Sequence, residues 1–392
     1  MRPGITIQHS RDVSGDSAQV RSDIAGLIGV IPKAVWPPGA KRGDFLELPL
    51  MATSQLMKSQ LRPLFDVVTV RAVRSFFENG GEICHLFGLC VESEHDFMDA
   101  DPFGTLFFSL LDRLRDREDL GLLLMPILAY LPVSYAQGRP VVGYEGILEL
   151  LLRHCAEMNN RFLIIDAPRD LHDDDLRNWV LGFRDRHRKL GCYGAIYYPW
   201  LMFGDEAFPA SATIAGSFAR SDREHAPFGV RWPPANQVLM GVTHPAIELK
   251  WSESGDYIES GVNPILTVPA KGVVVWGART LSLEPQWRDI NTRRIVSFIC
   301  EQVRRDSEWA VFENQTRELW QIIRRVVTGR LDMLWENGLL AGDRAGAEYL
   351  VECSKELNPV EVVDAGIVNV KVRLRPVTTA EYIVVDLQLG SS

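Results

Sequence analysis

Between Asp66 and Tyr198, short apolar runs alternate with stretches of helical periodicity, and this alternation limits the fold more than any other feature of the chain. Val67, Val70, Val73 and Phe77 recur one helical turn apart behind Asp66, a residue suited to cap a helix, and Asn79-Gly80-Gly81 stops the pattern. Residues 83–90 then read as a strand. Asp101-Pro102 is a helix start, followed by the face Leu106, Leu110, Leu111 and Leu114. Residues 122–129 form a continuous apolar run, the pattern of a strand covered on both faces. Ile147, Leu151, Cys155 and Met158 make the next helical face, and residues 162–166 the next strand. Asp173 caps a helix carrying Leu176, Val180 and Phe183, and residues 195–198 close the series. Strand and helix in this order predict an α/β fold with a largely parallel sheet and helices on both faces.

The flanks are less regular. Residues 24–31 look like a buried strand, and the prolines at 32, 37, 38, 49 and 63 predict a long irregular connection over 32–65. Residues 200–284 are rich in Pro, Gly and Trp and predict strands rather than long helices. A helix is expected over 291–305 and a longer one over 316–335, with the face Leu319, Ile323, Val326, Val327, Leu331 and Leu334. Residues 349–353, 367–374 and 382–389 end the chain as strands. A smaller α+β unit therefore follows the α/β core.

The chain has 392 residues, is 46% hydrophobic and carries a net charge of −9, which supplies no general attraction for nucleic acid or anionic membranes. The apolar stretch at 121–133 contains Pro126 and Pro132 and is too short to span a bilayer. Six scattered cysteines, with no CxxC pair, read as buried thiols of a reducing compartment.

Catalytic chemistry finds little purchase. Asp166 ends a strand, with Asp173-Asp174-Asp175 nearby. That arrangement suits an acid/base or metal site, and equally suits helix capping with favourable charge at a helix N-terminus. Ser217, after Gly216, is the nearest thing to an exposed nucleophile, but there is no G-x-S-x-G elbow and no marked base. Asn79-Gly80-Gly81-Glu82 precedes a strand, the wrong order for a dinucleotide loop. Between positions 288 and 330 nine arginines face six acids, a local +3 on a chain whose remainder carries −12. Such a face is either solvated with partners inside the chain or a docking face for an acidic partner.

Several stretches together resemble the contractile tail sheath family of phages and bacterial injection systems. Phe76 to Gly81 (FFENGG) is similar to the family's turn before a strand. Asn160-Arg161-Phe162 leading to Ile165-Asp166-Ala167-Pro168, and Ala195 to Trp200, resemble its central strands. Pro209 to Arg220 followed by Pro233-Pro234-Ala235-Asn236 matches a loop region. Gly261-Val262-Asn263, Val275 to Leu281, Trp287, Ile290-Asn291 and Arg293-Arg294-Ile295 are the most specific pieces. Residues 32–64 depart from the family pattern.

The resemblance implies a subtilisin-like middle domain (32–284) without protease activity or cofactors. It implies a tube-facing C-terminal domain (285–392), joined by an N-terminal arm and strand (1–31). It further implies hexameric rings in a helical array around an inner tube protein, with baseplate and terminator or cap proteins as partners and no nucleic acid or membrane contact. Assembly would occur in a bacterial cytoplasm, within a phage tail or tail-like particle. Arg324, Arg325 and Arg330 become candidates for the tube-facing surface. Ile5, Ile7 and Val13 at one end, and Tyr382, Val384 and Leu387 at the other, become candidates for strands lent to neighbouring subunits. A terminal or capping variant of the sheath, and a serine hydrolase on the same scaffold, are the alternative readings.

Overall fold

The computed structural model describes residues 20–92, 106–133, 135–136, 139–140, 143–313, 316–365, 367–378 and 383–389. Its first strand, β1 (Ala25–Pro32), is an interior strand, third from one edge of a nine-stranded sheet. Around it lie β2 (Phe45–Leu50), β3 (Cys84–Val91), β4 (Leu122–Leu124), β7 (Phe162–Asp166), β8 (Gly194–Tyr198), β11 (Gln237–Val238), β13 (Val262–Val268) and β14 (Gly272–Val275). Across the sheet the order is β11-β14-β13-β8-β7-β4-β1-β3-β2. The six strands from β13 to β3 run parallel, and the outer strands pair antiparallel. Two small hairpins lie outside it: β5 (Tyr135–Ala136) with β6 (Arg139–Pro140), and β9 (Leu201–Phe203) with β10 (Glu206–Phe208). The short β12 (His244–Pro245) completes the β9–β10 sheet.

Alternate residues of each central strand point to opposite faces. Leu163 and Ile165 of β7 join one apolar cluster, where they meet α3 (Phe108–Arg115), α4 (Tyr144–Met158), α5 (Asp173–Arg186) and α7 (Ser254–Ser260). Phe162 and Ile164 join the other, under α1 (Thr53–Met57), α2 (Val67–Glu78) and α6 (Ser211–Glu224). Both faces are covered, which is why the strands read as unbroken apolar runs. A third cluster gathers α8 (Ile290–Ser307), α9 (Arg317–Glu336) and a separate antiparallel sheet of β15 (Tyr349–Glu352), β16 (Val368–Leu374) and β17 (Ile383–Leu389). The five-residue α10 (Val360–Asp364) precedes β16.

Several expectations need correction. The strand ending the N-terminal segment 1–31, expected to join the C-terminal unit, lies instead in the large sheet between β3 and β4. Ala25, Leu27, Ile28 and Ile31 have no exposed surface, and only a doubly covered position accommodates that. Among the described residues of this segment, Val20 alone packs in the third cluster. The run at 122–129 is strand only to Leu124. Pro126 has no N–H for the ladder and opens a 3-10 turn, Pro126–Tyr130. Asp173 is the first residue of α5 rather than its cap, and its carboxylate accepts a hydrogen bond from the Tyr257 hydroxyl at 3.0 Å. The 14-residue α6 stands where no long helix was expected. Its first nine residues, Ser211 to Ala219, are small apart from Ile214 and Phe218 and are all buried, so no polar stripe betrays its period there. The expected helix start at Asp101-Pro102 lies outside the described residues.

Candidate assembly surfaces

Among the described residues, the strand ends bring together no catalytic set. Asp166 is buried and accepts the Ser211 N–H at 2.6 Å, an anchor for the start of α6, while its own carbonyl takes the Tyr144 hydroxyl at 2.6 Å. Burial pushes the Asp166 carboxyl up to about 7. Ser217 is not an exposed nucleophile: it lies inside α6 with no exposed surface, and its hydroxyl donates to Ile214 O at 2.8 Å. All six cysteines are free and buried. Among the described residues no three His, Cys, Asp or Glu side chains are grouped to hold a metal ion, and no helix is long and apolar enough to cross a membrane.

The distinctive sequence pieces are instead clamps between elements. Asn79 ends α2 with no exposed surface. Its amide donates to Ser75 O (3.0 Å) and Met240 O (3.1 Å), and its Oδ1 accepts Met240 N–H at 2.8 Å. A Cβ on Gly81 would lie 2.2 Å from the Phe76 ring, so the FFENGG turn needs glycine there. Asn263 repeats this pattern on β13, donating to Ile196 O (3.1 Å) and Arg279 O (2.8 Å) and accepting Arg279 N–H at 2.6 Å. A side chain on Gly277 would collide with it.

The double arginine of α8 fastens the third cluster to the large sheet. Arg294 forms a buried ion pair with Asp222 of α6, at 3.0 Å from Nη1, and Ser22 Oγ donates to the same carboxylate at 2.7 Å. Arg293 donates to Asn159 Oδ1 at 3.0 Å and lies over the Tyr193 and Trp287 rings, at 4.8 and 4.5 Å. Arg304 and Arg305 turn to Glu301 of their own helix. Much of the local positive charge therefore has partners within the chain.

The three tube-facing candidates separate. Arg324 and Arg325 lie exposed on α9, beside Ile322, itself 43% exposed. Arg330 is held in an ion pair with Asp306, with Nη2 2.7 Å from Oδ1, and is mostly covered. Of the strand candidates, Ile5, Ile7, Val13 and Tyr382 lie outside the described residues. Val384 and Leu387 belong to β17, which pairs along its length with β16 of its own chain and forms one edge of the three-stranded sheet, β15 forming the other. Leu350, Arg373 and Val384 align in register across that sheet, with Leu350 and Val384 about half exposed. The covered face carries Val368, Val370, Val372 and Leu374 against the helices. Sequence reasoning missed the Asp222–Arg294 and Asp306–Arg330 pairs, because the partners of each are far apart in the chain.

The molecule is thus a doubly covered α/β sheet fastened to a smaller unit of two helices and a three-stranded antiparallel sheet. The chain matches the phage tail sheath protein central domain over residues 147–281 and the phage tail sheath C-terminal domain over 282–390. It belongs to the phage tail sheath family, whose members are structural proteins and not enzymes. A protein named as a prophage major tail sheath protein of Pseudomonas aeruginosa (strain UCBPP-PA14) is 24% identical over 177 residues, 44% of each chain. The match thus spans less than half of that relative's length. The helical sheath of the anti-feeding prophage in its contracted state shares the fold, with a TM-score of 0.68 at 22% identity over 99% of both chains. So does the sheath complex of an extracellular contractile injection system, PVC, contracted (TM-score 0.66, 22% identity, 99% of this chain and 97% of the other). A sheath tail protein of Desulfitobacterium hafniense gives 0.58 at 9% identity over 94% and 96%.

Proposed function

We propose that this chain is the repeating subunit of a contractile sheath that polymerises around an inner tube and shortens to drive the tube through a target envelope. The observation that carries the reading is the fold-wide likeness to sheath subunits solved within helical assemblies, joined to two adjoining sheath-family matches over residues 147–390. The large sheet with its helices is the middle domain, with a subtilisin-like topology, and residues from 285 onward form the tube-facing domain. Hexameric rings stack in a helical array through heterologous contacts, which propagate instead of closing.

The outer strands β15 and β17 of the three-stranded sheet suit strand exchange, since an added strand satisfies main-chain N–H and C=O groups at once. The terminal arms are the strands lent. Exposed Arg324 and Arg325 suit an acidic tube surface. The buried Arg294–Asp222 pair supports movement of each subunit as one body, with the lent strands as hinges. Energy for contraction is then held in incomplete interfaces from assembly onward, and firing consumes no nucleotide. Particles of this kind assemble in the bacterial cytoplasm with baseplate and terminator proteins.

Co-sedimentation with the cognate tube tests the reading: the chain should pellet with tube filaments as regular sheathed cylinders. A chain that stays in the supernatant with tubes present would contradict it.

A further inference from the structure

A cavity of about 520 Å³ opens at the carboxyl ends of β7 and β8, where the β9–β10 hairpin leans over the sheet. The position matters first. The amino ends of the parallel strands face the C-terminal unit: Gly121, Asn160 and Phe162 share a small recess with Arg294 and Phe298 of α8. The cavity therefore lies at the opposite end of the sheet, away from the unit assigned to the tube. It also lies outside the carboxyl ends of parallel strands, where open α/β sheets bind ligands, and its volume falls within the range of small-molecule sites.

Its lining is aromatic with charge at the mouth. Tyr130 and Trp200 meet edge to face, with centroids 4.7 Å apart, and the buried Tyr198 and Phe208 back the wall. The Trp200 indole N–H is already donated to Ala167 O at 2.9 Å, so this side chain offers the cavity apolar surface and no donor. The Arg169 guanidinium lies 5.7 Å from the Tyr130 ring centre, and the exposed His172 sits 3.5 Å from the Tyr198 hydroxyl. Glu206, on the hairpin, lines the same cavity, so an anionic group is favoured only at the Arg169 side of the mouth.

We infer that this cavity binds a small ligand with a flat apolar body and a single negative charge, an aromatic monocarboxylate. The body lies in the cavity against the Tyr130–Trp200 wall and the hairpin, and the carboxylate meets Arg169, a planar donor suited to it, with His172 on the same lining. The inference is independent of assembly, because none of these residues belongs to the surfaces assigned to tube or strand exchange.

The test is a calorimetric titration of the purified chain with 1-naphthoate and, separately, with 1-naphthylmethylamine, which has the same ring system and the opposite charge. Naphthoate should bind saturably at one site, and the amine about tenfold more weakly or not at all. Arg169→Ala should weaken naphthoate binding about tenfold. Ala246→Trp, at an exposed lining position, should abolish binding without changing the melting curve; Ala207→Trp on the hairpin gives a second filling variant should the first disturb folding. No saturable naphthoate binding, equal binding of the amine, or full binding by a folded cavity-filling variant would each overturn the inference.

Discussion

Arg294 of α8 and Asp222 of α6 form an ion pair with 4% and 7% of their side-chain surfaces exposed, and Ser22, just before β1, bonds the same carboxylate. Three segments distant in sequence thus meet on one buried charge pair. In so dry a site each ion depends on the other, because an orphaned charge there keeps its desolvation cost without its partner.

Removing one partner should therefore be severe. Asp222→Ala is expected to destabilise the chain by about 3–5 kcal/mol, and Arg294→Met by a similar amount. The paired replacement Asp222→Leu/Arg294→Met should cost much less than the two single losses added. Urea denaturation of the four proteins measures this, and simple additivity would show that the pair is not coupled.

Asp166 gives the chain a pH dependence of definite sign. Its folded-state carboxyl, pushed up to about 7 by burial, stands above the ordinary value of 3.8. The protonated form is therefore the one the fold favours. Its contribution is fully present below about pH 4 and is lost as pH rises through 7, with an upper scale of about 4 kcal/mol. Asp166→Asn keeps an acceptor for Ser211 N–H and removes the ionisation. The variant should gain stability over the parent from pH 5 to pH 8; parallel melting profiles across that range would count against the assignment.

Asn79 is the hub of the α2 turn, bonded to Ser75 and Met240. Asn79→Ala leaves Met240 N–H and two carbonyls without this partner, and should cost about 2–4 kcal/mol. Gly81→Ala should destabilise as well, through the Phe76 ring. Thermal melts check both, and a wild-type midpoint for either would mean that the turn relaxes freely.

Charge reversal separates the arginines of α9. Arg324→Glu/Arg325→Glu changes exposed positions and should leave the melting temperature nearly unchanged while abolishing assembly on tubes. Arg330→Glu places a carboxylate against Asp306 and should destabilise the fold by about 2–4 kcal/mol. Sheathed tubes formed by the double variant would remove Arg324 and Arg325 from the tube contact.

Legibility of the chain follows burial pattern. Helices with one wet face, such as α2, α4, α5 and α9, announce themselves by period, and Asp66 caps α2 as its sequence position suggests. The all-round burial of α6 erases that signal, and Pro126 ends β4 inside an apolar run that still looks continuous. The candidate arginines were visible as a group, but charge counting cannot tell Arg330, turned to Asp306, from the exposed Arg324 and Arg325. Strand assignment to a sheet is likewise invisible locally. β1 reads as a buried strand in isolation, and only its pairing with β3 and β4 places it in the large sheet.

Whether this chain builds a sheath is decided by negative-stain electron microscopy of the concentrated protein, alone and with its tube protein. A sheath subunit forms hollow cylinders with a regular helical surface, at least in the presence of tubes. Monomers or small closed oligomers at every concentration, with tubes left bare, would contradict that role.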